Sequence, residues 1–203
     1  MKLKLGVLGL QGDVEEHVEA WERAADVLGI QADVVIVKQP NQLEGLTAIS
    51  IPGGESTVIG SLAENSKLLE KLKEGVLNGL PALGTCAGMI LLSKKSRDSV
   101  VGEKKQPLLG VLDVDVERNH FGRQPDSFER DLSIPVLGEK PYRGVFIRAP
   151  IIKQVGQGVE VLAKIEEGIV AVRQANIVAT SFHPELSDDP RLHVYFLKQV
   201  ANV

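Results

Sequence analysis

The chain of 203 residues holds one cysteine, Cys86, in the stretch Gly84-Thr85-Cys86-Ala87-Gly88. Leu80 to Leu83 before it reads as a short buried strand, and Met89 to Leu92 after it as the apolar face of a helix. A G-x-C-x-G between strand and helix is the thiol form of the nucleophile elbow. Its neighbours must be small, because the backbone doubles back there and a Cβ would collide. The start of a helix also favours thiolate over thiol, through unpaired N–H groups and the helix dipole. A lone cysteine can equally be inert packing. What separates the two is whether a histidine and an acid accompany it.

Ser181-Phe182-His183-Pro184-Glu185 closes the last apparent strand. His183 and Glu185 are two residues apart, so strand alternation puts both on one side. A carboxylate beside an imidazole fixes its tautomer and supports its charged form, and the imidazole can take the proton of a thiol. An isolated H-x-E is weak evidence. Leaving the same sheet edge as an elbow cysteine, it completes a nucleophile, base and acid.

Pro52-Gly53-Gly54-Glu55-Ser56-Thr57 follows another short apolar strand. Two glycines can make a plain turn, or a nest of N–H groups for an anion or oxyanion, with Glu55 and Ser56 opening the next helix. His17 reads as a solvated or half-buried side chain on a helix, and His193 as structural. The four histidines and the cysteine show no metal-ligand spacing, so no metal and no cofactor is expected.

These residues need a scaffold. Lys2 to Leu10 reads as a strand running into the loop Leu10-Gln11-Gly12, with Asp13 capping the next helix. That helix has apolar Val14, Val18, Trp21, Ala25 and Leu28, and Gly29 ends it. Ala32–Val37 and Leu46–Ile51 are strands, and Asn65 to Leu77 is an amphipathic helix ended by Gly79. Ser93 to Pro107 reads as a polar solvent loop and Leu108 to Glu117 as an alternating strand. Gly144 to Ala149, Val159 to Ile165, Gly168 to Gln174 and Asn176 to Phe182 follow as strands, and Asp188 to Val200 as a closing helix. The alternation predicts an α/β three-layer sandwich with a mainly parallel, flavodoxin-like central sheet, and ligands beyond the carboxyl ends of its strands. Gly12, Gly53-Gly54 and Cys86 all lie at such ends.

No linker or repeat divides the chain, which reads as a single domain over 1–203. The net charge of −4 does not point to nucleic acid or an anionic membrane. One cysteine excludes an intrachain disulfide, and the short apolar run at the N-terminus lacks a cleavage site. A reducing, cytoplasmic location is expected.

On these motifs the sequence resembles the class I glutamine amidotransferase family, in which Cys, His and Glu hydrolyse glutamine. More narrowly, it is similar to the branch of glutaminase subunits of pyridoxal 5′-phosphate synthase. Gly6 to Gly12, Pro52 to Thr57, the run from Glu117 to Phe128 and Gly144 to Pro150 carry that closer match. His120 stands where a smaller residue is more usual. The resemblance implies Cys86 as nucleophile, His183 as base and acid, and Glu185 as its orienting partner. It implies oxyanion donors at Gly54 and Ala87, and glutamine contacts from Gly54, Glu55, Ser56, Arg118, Ile147 and Arg148. It also implies a larger synthase subunit, a (β/α)8 barrel, that receives the ammonia in a hetero-oligomeric complex.

Three other readings remain open at this point. A glutaminase serving another synthase would lack a reason for the Glu117 to Phe128 run. A peptidase- or deglycase-type cysteine hydrolase would lack one for the Gly-Gly loop and the His-Pro-Glu ending. A non-catalytic binding module would have no need of Cys86, His183 and Glu185 together.

Overall fold

The computed structural model describes residues 2–98, 102–103, 106–118, 120 and 127–203, with only the backbone of 102–103. Asn119 and residues 121–126, part of the run singled out above, lie outside the described residues. The elements are β1 (Leu3–Leu8), α1 (Val14–Leu28), β2 (Ala32–Val37), β3 (Ala48–Ile51), α2 (Ser56–Asn65) and α3 (Leu68–Leu77). Then come β4 (Ala82–Thr85), α4 (Ala87–Leu92), β5 (Ser93–Asp98), β6 (Gly102–Glu103), β7 (Leu112–Arg118) and β8 (Ser127–Leu132). The chain closes with β9 (Tyr142–Ile147), β10 (Ile151–Val155), β11 (Glu160–Ile165), β12 (Gly168–Gln174), β13 (Ile177–Thr180) and α5 (Arg191–Gln199).

The main sheet runs β2-β1-β3-β4-β13-β12-β10-β7-β5-β6, with β11 added to β12. From β2 to β13 all neighbours are parallel. Beyond β13 the pairs turn antiparallel, apart from β5 beside β7. β8 and β9 form a separate hairpin. The starting order 2-1-3-4 is that of flavodoxin-like sheets, and the layered architecture is the one expected.

Period-two alternation sorts the side chains between two cores. Leu5, Val7, Leu83 and Val178 face one side, with Trp21 of α1 and Phe196 of α5. Leu8, Ile49, Ile51 and Ala179 face the other, with Ile59, Leu72 and Leu91 of α2, α3 and α4. Burying both faces makes the parallel strands almost continuously apolar, which is why they stand out in the sequence.

Four expectations need correction. Ser93 to Pro107 is not a solvent loop throughout. β5 pairs with β7, held by Lys94 to Asp113 (3.1 Å) and by the Arg97–Asp115 ion pair rather than by apolar burial. The helix expected from Asn65 starts at Leu68, because α2 runs on to Asn65 and Lys67 takes a left-handed φ of 61° between the two. The strand before the elbow is Ala82–Thr85, two residues later than read. β8 and β10 are strands that polarity and a preceding proline concealed. β9 holds β8 partly through Arg143, which donates to Glu129 and Asp131 at 2.8 and 3.0 Å.

Candidate active site

Cys86 joins β4 to α4 with φ 50° and ψ −104°, a backbone region that L-residues avoid. The turn is tight. A Cβ on Gly88 would lie 1.9 Å from the Ile51 carbonyl oxygen. The Cys86 N–H donates to Thr180 O at 2.8 Å, fastening the elbow to β13. Its side chain is nearly buried, with Sγ 3.8 Å from Ile147 O.

His183 comes three residues after β13 and is held by its own N–H, which donates to Val145 O at 2.8 Å. Strand alternation is not what pairs it with Glu185. β13 ends at Thr180, and a 3-10 turn over Pro184–Leu186 brings Glu185 Oε1 to 2.6 Å from His183 Nδ1. Asp13 Oδ2 lies 3.2 Å from the same nitrogen. His183 Nε2 is buried, without a hydrogen-bond partner among the described residues. Burial alone would pull this imidazole down. Asp13, Cys86 and Glu185 together outweigh that effect and push it up to about 12. Glu185 is fully buried, which by itself would raise its carboxyl. His17 and His183 hold it well below the usual carboxylate range instead. The pair is therefore an imidazolium and a carboxylate.

Cys86 and His183 open onto one cavity of about 300 Å³, at the small end for small-molecule sites. Gly54, Glu55, Ser56, Ala87, Arg118, Ile147 and Arg148 all line it. The structure thus brings together every expected site residue, with Glu185 behind His183.

The Gly53-Gly54 loop is wedged among its neighbours. A Cβ on Gly53 would lie 2.4 Å from His183 Cε1, and Gly54 has φ +140°. Gln11 Oε1 accepts the Glu55 N–H at 2.8 Å, so the loop after β1 grips the loop after β3. Across the cavity Arg118, nearly buried at the end of β7, donates to Glu55 Oε1 at 2.7 Å and to Gln106 Oε1 at 3.0 Å. Burial pushes the Glu55 carboxyl up, but the Thr57 hydrogen bond and the Arg118 charge hold it below its ordinary value. A cation and an anion side by side suit a zwitterion, with Arg118 for a carboxylate and Glu55 for an ammonium group.

Sequence reading missed three members of this neighbourhood. Asp13 sits at the N-cap of α1 but makes no capping bond, and its side chain turns to His183. His17 is neither solvated nor half-buried; it is fully buried, 3.1 Å from Thr85 Oγ1. Its place four residues before Trp21, on the buried face of α1, was the available signal. Gln106 carried no signal. Asp13, His183 and Glu185 offer metal-ligand atoms within 4.8 Å of one another. A cation there would displace the proton that the two carboxylates keep on the ring.

Known proteins resemble this chain over nearly its whole length. Residues 7–202 match the model of the SNO glutamine amidotransferase family. The chain is 52% identical to the Aeropyrum pernix pyridoxal 5′-phosphate synthase subunit PdxT, over 98% of this chain and 99% of that one. It is 49% identical to the Staphylothermus marinus subunit of the same name, over 98% of each. A crystal structure of a glutamine amidotransferase superposes with a TM-score of 0.86 at 50% identity, covering 98% of this chain and 99% of that one. A glutamine amidotransferase from Thermotoga maritima shares the fold alone, with a TM-score of 0.64 at 13% identity over 99% of both chains.

Proposed function

This chain belongs to the SNO glutamine amidotransferase family, and from that premise we propose that Cys86, His183 and Glu185 carry out its hydrolysis of L-glutamine. It is the glutaminase subunit of a pyridoxal 5′-phosphate synthase and works with a synthase subunit. The observation that carries the assignment is the cavity shared by Cys86 and His183, with Glu185 bonded to the far side of the imidazole.

Arg118 grips the α-carboxylate of glutamine and Glu55 takes the α-ammonium, with Ser56, Ile147 and Arg148 around them. The Cys86 thiolate attacks the side-chain amide carbon. N–H groups of Gly54 and Ala87 hold the oxyanion, and loss of one such donor costs about a hundredfold or more in rate. The His183 imidazolium gives its proton to the departing nitrogen, and ammonia leaves a glutamyl thioester. The neutral imidazole then takes a proton from water, whose oxygen displaces the sulfur. One water is consumed, and glutamate, ammonia and the starting thiolate–imidazolium pair result.

The ammonia passes to the synthase subunit, a (β/α)8 barrel, which condenses it with a pentose phosphate and a triose phosphate. On this reading the subunit lies in the cytoplasm, where a lone cysteine stays reduced. Gly53-Gly54 is the point of control. Its peptide can present its N–H toward or away from the oxyanion, and glycine has access to both signs of φ.

The test is ammonia release from glutamine with and without the synthase subunit. Cys86→Ala is expected to release none in either case, and release at the parent rate would end the assignment. Gly54→Val, strained at this φ and directed at Gln11, is expected to lose stimulation by the partner. Unchanged stimulation would remove the loop from its controlling role.

A further inference from the structure

Behind the triad lies a second imidazole that the mechanism above does not use. His17 Nε2 is 3.1 Å from Thr85 Oγ1 and 3.5 Å from Glu185 Oε1. The same carboxylate oxygen takes the 2.6 Å bond from His183 Nδ1. Glu185 is thus held from both sides, by a ring at the cavity and by a ring in the core. His17 Nδ1 is buried without a hydrogen-bond partner among the described residues. A bare acceptor is tolerated in that position better than an orphaned donor, so a neutral ring carries its proton on Nε2, between Thr85 and Glu185.

We infer that His17 is a positioning residue for the glutaminase reaction, holding Glu185 ionised and aimed at His183 during the part of the cycle when His183 has lost its extra proton. This rests on the triad assigned above. A fully buried carboxylate persists as an anion only with partners. While His183 is an imidazolium it supplies a balancing charge. Once that proton has left with ammonia, the hydrogen bond stays but the charge is gone. A second donor then keeps the Nδ1 proton on the ring, so that Nε2 is the position that takes the proton of water. Through Thr85 the same imidazole braces the residue next to the nucleophile.

The other groups around the pair do not substitute for it. His193 on α5, with its ring 6.5 Å from that of His17, is pulled down to about 3, first by burial and then by His17. Burial keeps the Tyr142 hydroxyl neutral. Arg23 reaches only the main-chain oxygen of Glu185, at 3.2 Å, and Asp13 is itself an acid on His183.

The experiment measures ammonia release from glutamine across pH, in the complex with the synthase subunit. His17→Leu is expected to lower kcat about ten- to a hundredfold and to leave KM within about twofold. The acid limb of its pH profile is expected to move upward, because Glu185 with one partner fewer takes a proton sooner. His17→Gln, with an N–H near the place of Nε2, is expected to restore most of the rate. His17→Asn, whose amide stops at the δ position, is not. In a Glu185→Gln background His17→Leu is expected to cost little further, since it acts through that carboxylate.

A parent kcat and pH profile in His17→Leu overturns the inference, as do fully additive losses or a His17→Gln no better than His17→Asn. If His17→Leu does not fold, the Gln and Asn variants decide between them. Cys86→Ala measured alongside separates the two levels. Ammonia release by that variant removes the triad itself, whereas an inactive Cys86→Ala beside an unaffected His17→Leu removes only the role of His17.

Discussion

Cys86 and His183 leave the parallel half of the sheet, from β4 and β13, whereas Arg118 leaves β7 in the far half and Arg148 leaves the β8–β9 hairpin. The two sets are held differently. Cys86, His183 and Glu185 are buried; main-chain bonds fix Cys86 and His183, and a 3-10 turn carries Glu185. Arg118 and Glu55 face each other as an ion pair on the wall of the cavity. On the proposed mechanism the parallel half supplies the reacting groups, whereas the charges for the substrate come from both halves, Glu55 from the loop after β3 and Arg118 from β7. In kinetic terms, damage to the first belongs in kcat and damage to the second in KM.

The sharpest way to break this division is at the nucleophile. Cys86→Ala is expected to reduce kcat at least about a thousandfold while bound glutamine still protects the fold against heat. Glu185→Gln comes next, with a loss in kcat of about a hundred- to ten-thousandfold and little change in KM. Arg118→Ala tests the other half. Losing a charge-assisted hydrogen bond of roughly 1.5–3 kcal/mol is expected to raise KM about ten- to a hundredfold with kcat largely kept. An equal fall of kcat in Arg118→Ala would merge the two halves into one machine.

The protonation states sharpen the contrast further. Glu185 has its folded pKa below the unfolded value, so its contribution to stability is present above the ordinary carboxylate range and is lost as pH falls. His183 has its folded pKa raised to about 12, so its contribution is present below the ordinary imidazole value and is lost as pH climbs toward 12. Thermal melts of Glu185→Gln are expected to lose steepness on the acid side relative to the parent. The smallest effect is expected at Arg97→Ala on β5, about 1 kcal/mol of stability with kcat and KM unchanged.

The same division governs how much could be read from the sequence. The apolar parallel strands were visible, and Ala32–Val37 coincides with β2. Gly84 to Gly88 announced its turn because few residue types fit there. His183 and Glu185 were paired correctly but for a different reason: a proline-led turn does what strand alternation was expected to do. The far half was harder to read. β5 is polar along its length, and its ion pairs to β7 become visible only when the two strands lie side by side. Asp13 and His17 were misread for a related reason. A capping residue and a helical histidine look local, and their partners lie about 170 residues further along the chain.

Cys86 keeps a positive φ in a place where glycine would rest without strain. The conformation that turns the sulfur to the cavity is one the backbone resists, so reactivity and ease of folding pull this position in opposite directions. In a descendant freed from making ammonia, nothing would oppose that pull, and position 86 should be among the first to drift, toward glycine.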